Sequence, residues 1–220
     1  AVELGVEQGA TVPAIAMELM APPPAGGFVG WVQAAAKMAE IYGSSAFHFP
    51  DNQEEARQAS MFFLGVPGRF PPTRPVPAAS QTTLCLVKPH AVEGGKGGCV
   101  VSAILEAGFQ IGALEQFFLN NQTATEFFDV YRDVIPDYME TLNHLTEGPV
   151  LALMIEGDNV VEHFREFCGP VDVEVAKTLR PDSLRARFGK DRVKNAVHCT
   201  DLPEDGDLEC KYFFETLTAV

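Results

Sequence analysis

Apolar and polar positions come in blocks along residues 81–220, each block about the length of one secondary-structure element. Thr82–Val87 is a short continuous apolar run, which predicts a buried strand. A glycine-rich turn, Glu93-Gly-Gly-Lys-Gly-Gly98, follows. Val100, Val101, Ile104 and Leu105 then recur at helical spacing, with Gly108 as the stop. Phe109–Phe118 carries a strand pattern. Thr123 is read as opening a helix with Thr-Ala-Thr-Glu, a capping-box spelling, whose apolar face holds Phe127, Phe128, Val130 and Tyr131. The remaining blocks predict a helix over about Asp137–Leu145, a strand over Val150–Ile155, a helix over Val160–Cys168, a short turn at Glu204–Glu209 and a last strand over Lys211–Leu217. Two successive βαβ orders, with few strands and short connections, predict an α/β (α+β) fold with a ferredoxin-like split-βαβ core.

Residues 1–64 echo the later part of this pattern. Val12-Pro-Ala-Ile-Ala-Met-Glu resembles Gly148-Pro-Val-Leu-Ala-Leu-Met, and Tyr42-Gly-Ser-Ser-Ala-Phe-His48-Phe-Pro-Asp51 is a worn copy of the segment around His198. In both copies an aspartate follows the histidine by three and a Phe-Phe pair closes the segment, Phe62-Phe63 and Phe213-Phe214. Such repetition predicts one complete copy over 81–220 preceded by a degenerate C-terminal half copy over 1–64. Residues 65–80 between them hold five prolines, the composition of a stiff, extended linker. A start in mid-domain predicts that more chain precedes residue 1.

The 220 residues are 46% hydrophobic, enough for one large domain or one and a half small ones. The net charge of -14 disfavours nonspecific nucleic-acid binding, so no nucleic-acid partner is expected. Eight of the 16 Lys and Arg residues nevertheless fall within 165–194, which reads either as a local anion site or as a solvated face. The five cysteines are scattered, without a Cys-x-x-Cys. They suit a reducing compartment, the cytoplasm, rather than a disulfide scaffold or a zinc site. No apolar run approaches the roughly 18 residues of a membrane span, and no membrane partner is expected.

The segment Arg185-Ala-Arg-Phe-Gly-Lys-Asp-Arg-Val-Lys-Asn195-Ala-Val-His198-Cys-Thr-Asp201 changes the picture most. A neutral imidazole nitrogen can attack phosphorus and hold the phosphoryl group. Arg185, a guanidinium fork that matches phosphate oxygens, and Asn195 precede the histidine closely. The glycine run at 94–98 lacks the Gly-Lys-Ser/Thr of a P-loop and reads as a plain turn.

Together with Cys85-Leu-Val-Lys88-Pro-His90, Gly148-Pro-Val, Arg165 before Cys168-Gly-Pro170, and Arg180-Pro-Asp-Ser-Leu-Arg185, this segment resembles the nucleoside diphosphate kinase family across residues 81–220. The tandem arrangement is similar to the two-domain axonemal members of that family. The resemblance implies that His198 is phosphorylated by a nucleoside triphosphate. Glu209 would accept from the other ring nitrogen and Thr200 would donate to the histidine. Lys88, Arg165, Arg185 and Asn195 would hold phosphate, Phe128 would stand where the family has a tyrosine, and Tyr138 would stack on the base. ATP or another triphosphate would bring Mg2+ on its phosphates, with no metal ligand from the protein. The same resemblance implies the cytoskeleton of a cilium or flagellum as location, with nucleotides, tubulin and other doublet-microtubule proteins as partners.

Departures from the family pattern at His90, Phe128, Val171 (for a threonine) and Arg192 (for a small residue) predict retained nucleotide binding with reduced turnover. The alternative is a structural doublet-microtubule component that binds nucleotide with little or no turnover. In the first copy, Lys37 and Arg57 are the basic residues before the linker, Ser45 stands for Asn195, and Ala59 or Gln58 stands for Glu209. A lone His48 without phosphate ligands predicts a catalytically silent, packing copy.

Overall fold

The computed structural model describes residues 35–41, 43, 49–50, 52–63, 81–135 and 137–217. The chain divides into two compact units, Ala1–Pro71 and Pro72–Val220. In the first unit, helix α1 spans 35–41 and helix α2 spans Gln53–Phe63. Asn52 caps α2 by accepting from the Glu55 amide at 3.0 Å, and Arg57 pairs with Glu54 at 2.7 Å on its exposed face. Gln58 and Ala59 lie on α2. Ser45, His48, Asp51 and the linker 65–80 lie outside the described residues.

The second unit is built on a four-stranded sheet in the order β2-β3-β1-β4. Its strands are β1 (Thr82–Val87), β2 (Gln110–Phe117), β3 (Val150–Glu156) and β4 (Val197–Cys199). All neighbouring pairs are antiparallel, as in a ferredoxin-like sheet. Helices α3 (Pro89–Glu93) and α4 (Gly97–Glu106) connect β1 to β2. Helices α5 (Asn121–Phe128) and α6 (Tyr138–Thr146) connect β2 to β3. Helices α7 (Val160–Cys168), α8 (Val173–Leu179) and α9 (Leu184–Phe188) lead to β4, and α10 (Gly206–Lys211) follows it.

Strand side chains alternate between faces, and both faces of this sheet are covered. Leu84 and Leu86 of β1, with Ala152 and Met154 of β3, pack against Phe127, Phe128, Leu142, Leu145, Phe213 and Phe214 from α5, α6 and the chain after α10. Cys85 and Val87, with Leu153 and Ile155, pack against Val100, Ile104, Val160, Phe164 and Leu184 from α4, α7 and α9. Burial on two sides is why β1 and β3 read as continuous apolar runs rather than as alternating ones. Among the described residues no helix is long and apolar enough to cross a membrane.

Several expectations need correction. Lys211–Leu217 is not a strand: after α10 the chain makes a π-helical turn, Tyr212–Thr216. Cys210, Phe213 and Phe214 all enter one core cluster, a spacing of three and four that a helical turn satisfies and a strand does not. The fourth strand is the three-residue β4, which forms at the histidine motif itself. The capping box sits three residues earlier than expected: Asn120 is the N-cap, and Thr123 is the reciprocating residue. Val130 is 75% exposed while Tyr131 is buried, because a 3-10 turn at Asp129–Tyr131 breaks the helical phase after α5. The glycine run joins two helices, α3 and α4, rather than a strand and a helix.

Candidate active site

The site forms where β1 and β4 lie side by side. Leu86 pairs with His198 across the ladder, so the histidine is delivered by an internal register and is 8% exposed. Just before β4, Ala196 takes φ 71° and the Val197 amide donates back to the Asn195 carbonyl at 2.9 Å. This is a γ-turn with positive φ, a strained conformation for a residue with a Cβ. The Lys88 amide holds it in place by donating to the Ala196 carbonyl at 2.8 Å. The turn bends the chain so that Asn195 and His198 both remain at the head of the sheet.

Glu209 reaches the histidine from α10. Its Oε2 lies 3.3 Å from His198 Nε2 and accepts from Thr200 Oγ1 at 2.8 Å, and its Oε1 accepts from Tyr131 OH at 3.1 Å. Burial pushes the Glu209 carboxyl up, but the His198 ring and the donors His198, Thr200 and Tyr131 outweigh it and hold the group below its ordinary value. An ionised Glu209 requires the proton of His198 on Nε2 and leaves the Nδ1 lone pair free. Thr200 thus serves the carboxylate rather than donating to the histidine directly, and its oxygen also accepts from the Leu84 amide at 3.0 Å. Phe127, Phe128 and Tyr131 set their rings 5.1–5.6 Å from the imidazole centroid in edge-on geometry, so the ring has little rotational freedom.

Three cationic side chains and an asparagine come from the segments that flank β1 and β4. Lys88, past the end of β1, is 4% exposed, and its Nζ donates to the Val193 carbonyl at 2.9 Å. Burial, then the neighbouring Arg185 charge, lower it to about 7, against a weaker pull from Asp191. Arg185 of α9 is buried, with Nη1 on the Gly169 carbonyl at 2.6 Å, Nε on the Val197 carbonyl at 3.3 Å and Nη2 3.6 Å from Cys199 Sγ. A hydrogen bond with Cys168, opposed by burial and helped by Arg185, lowers the Cys199 thiol. Asn195 donates through Nδ2 to the Val171 carbonyl at 3.3 Å, while its buried Oδ1 has no partner among the described residues. Arg165 of α7 is more exposed. It is tethered to Asp201 through Nη1 on the backbone carbonyl at 2.9 Å and Nε 3.4 Å from Oδ1.

His198, Glu209, Thr200, Phe128, Lys88, Arg185 and Asn195 are therefore gathered about the heads of β1 and β4, with Arg165 on the rim. Tyr138 is placed differently. It is nine-tenths buried in the core, which leaves little open face for a base, and the exposed apolar surface nearby belongs to Val134 and Met139. Arg192 Nε lies 3.6 Å from Asp137 Oδ2, linking the segment before β4 to the start of α6. His90 Nδ1 lies 2.9 Å from His144 Nε2, and His144 Nδ1 lies 3.0 Å from Glu147. The site residue that sequence reasoning missed is Tyr131. Its signal is positional, one residue beyond an exposed Val130, and depends on the 3-10 turn.

Residues 81–218 match the family model described as nucleoside diphosphate kinase. The chain belongs to the nucleoside diphosphate kinase family. It is 38% identical over 220 residues to "Nucleoside diphosphate kinase homolog 7" of Rattus norvegicus, covering 93% of this chain and 55% of that relative. The chain thus spans about half the length of that curated relative. It is 39% identical over 142 residues to the nucleoside diphosphate kinase of Aquifex aeolicus, covering 64% of this chain and 99% of the other. A solved structure of the Aquifex enzyme superposes with a TM-score of 0.59 at 38% identity, over 64% of this chain and 99% of that one.

Proposed function

We propose that the Pro72–Val220 unit is a nucleoside diphosphate kinase that moves the γ-phosphoryl of a triphosphate to a diphosphate through His198. The observation that carries this reading is the Glu209 carboxylate on His198 Nε2, which leaves Nδ1 as the nucleophile. The Nδ1 lone pair attacks the γ-phosphorus as the bond to the β–γ bridging oxygen breaks. The diphosphate leaves with that electron pair, and Glu209 balances the positive charge that develops on the ring. A second diphosphate then takes the phosphoryl group by the reverse path.

Lys88, Arg185 and Arg165 supply charge to the phosphate oxygens, and the unpartnered Asn195 Oδ1 suits a hydroxyl donor on the nucleotide. This donor set of Lys, Arg and Asn fits phosphate rather than a metal. Among the described residues no group of His, Cys, Asp and Glu is arranged to ligate an ion. Magnesium belongs to the nucleotide substrate in this reading, carried on its β- and γ-oxygens.

Incubation with γ-labelled ATP and magnesium tests the reading. An acid-labile, base-stable label that disappears in His198→Ala is expected. Nucleotide binding without label would leave a pocket that has lost its chemistry.

We also propose that the chain is placed in the cytoskeleton of a cilium or flagellum, among tubulin and other doublet-microtubule proteins. The resemblance to tandem axonemal members supports this, together with 93% coverage of this chain in the match to homolog 7. Tagged protein distributed through the cytoplasm and absent from isolated axonemes would refute it.

A further inference from the structure

Glu209 is held at both oxygens, but not equally. Oε2 is shared by His198 Nε2 and Thr200 Oγ1, while Oε1 takes its hydrogen bond from Tyr131 OH at 3.1 Å. Thr200 is itself fixed by the Leu84 amide of β1, so one end of the carboxylate is anchored to the sheet. The other end is anchored to the 3-10 turn after α5, whose neighbours Phe127 and Phe128 pack on the imidazole. Two anchors fix the plane of a carboxylate, whereas one leaves it free to rotate about its Cγ–Cδ bond. The Tyr131 ring also lies 5.6 Å from the His198 ring at 78°, so a single side chain limits both members of the pair.

We propose that Tyr131 is a positioning residue for phosphoryl transfer: its hydroxyl fixes the plane and charge of Glu209, which in turn keeps the His198 proton on Nε2 and Nδ1 free. This deepens the kinase reading and rests on it for its catalytic consequence. The geometric part holds independently of turnover. The sign follows from the direction of the bond. A hydroxyl donating to a carboxylate favours the ionised form, so its removal lets the Glu209–His198 pair take up a proton at higher pH. The proton-bearing pair lacks the free Nδ1, and the acid limb of activity moves up with it.

Tyr131→Phe keeps the ring and deletes the hydroxyl. Histidine-15N NMR of the full chain follows the tautomer and titration of His198 without any need for catalysis. The expected result is that the His198 transition moves to higher pH in Tyr131→Phe, with less of the neutral Nε2–H tautomer near neutrality. Tyr212→Phe is the control. It removes another hydroxyl from the same core, one that bonds Thr123 and Glu126, and should leave His198 unmoved. In the labelling assay Tyr131→Phe should slow phosphohistidine formation roughly tenfold, the scale of one hydrogen bond to a charged group, with its acid limb displaced upward and the Tyr212→Phe profile superimposed on wild type. Identical His198 titrations in wild type and Tyr131→Phe would overturn the proposal. A displaced titration in a protein that never labels would uphold the positioning role and sink the kinase reading instead.

Discussion

At the residue scale, the site places its chemistry where burial is costly, and Lys88 shows the cost most clearly. It is buried beside Arg185 with a folded value of about 7, against about 10.4 for an unfolded chain. A lysine whose folded value is lowered binds its proton more tightly when unfolded, so stability falls as pH drops from about 10 toward 7. Lys88→Met should therefore raise stability at pH 7, by about 1–3 kcal/mol after the lost bond to Val193 is set against relieved desolvation. It should also abolish nucleotide affinity. Urea unfolding and nucleotide titration on the same variant check both signs, and a destabilised Lys88→Met would contradict the account. His198, Asn195 and Arg185 were legible in the sequence because their chemistry is written in residue type and spacing. Tyr131 was expected on an apolar face and is buried, but its place beside Glu209 was not legible, because the two residues lie 78 apart in the chain and only the fold brings them together.

At the element scale, α10 brings Glu209 to the histidine, and it can do so because Gly206 lets its first turn lie against β1. A Cβ at Gly206 would press into the Thr82 carbonyl oxygen and lie 3.2 Å from Val161 Cγ2. Gly206→Ala should destabilise the fold by about 1–3 kcal/mol and weaken the Glu209 contact. Gly98, near the start of α4, has nothing within 4 Å of an added Cβ, so Gly98→Ala should instead stabilise by about 0.4–1 kcal/mol. Denaturant midpoints of the two variants should move in opposite directions, and parallel shifts would refute the packing argument. The same elements show what sequence pattern can carry. β1 and α7 were expected at the bounds found, and β3 to within one residue, because each keeps one apolar pattern, continuous in the strands and at helical spacing in α7, over its whole length. The short helices α3, α8 and α9 escaped prediction, since five to seven residues give periodicity too little length to register. The last strand was expected on Lys211–Leu217, but packing of Cys210, Phe213 and Phe214 on one core cluster decided otherwise.

At the scale of the whole molecule, net charge and local charge act in opposite directions. A chain at -14 should lose self-repulsion on mild acidification and gain stability from it. His90 opposes that trend. Burial first, then the positive neighbours His144, Lys88 and Lys190, lower it to about 4, with Asp191 pulling the other way. Its hydrogen-bonded partner His144 is also lowered, through burial opposed by Glu147. The unfolded histidine binds its proton near pH 6.5 and the folded one near 4. The unfolded state therefore gains protons first, and stability falls as pH drops through that window before levelling below it. Glu209, whose folded value is depressed, contributes stability that is lost lower down, as pH falls through its folded value. Thermal unfolding of wild type and His90→Gln from pH 7.5 to about 3, below the ordinary carboxyl value, separates these terms. The wild type should lose Tm more steeply than the variant between pH 6.5 and 4, while both share the residual loss at the acid end. Parallel curves would mean that the buried His90–His144 pair is not where this fold is sensitive to acid. Steeper loss in the variant would mean that the pair holds its protons more tightly in the fold than burial allows.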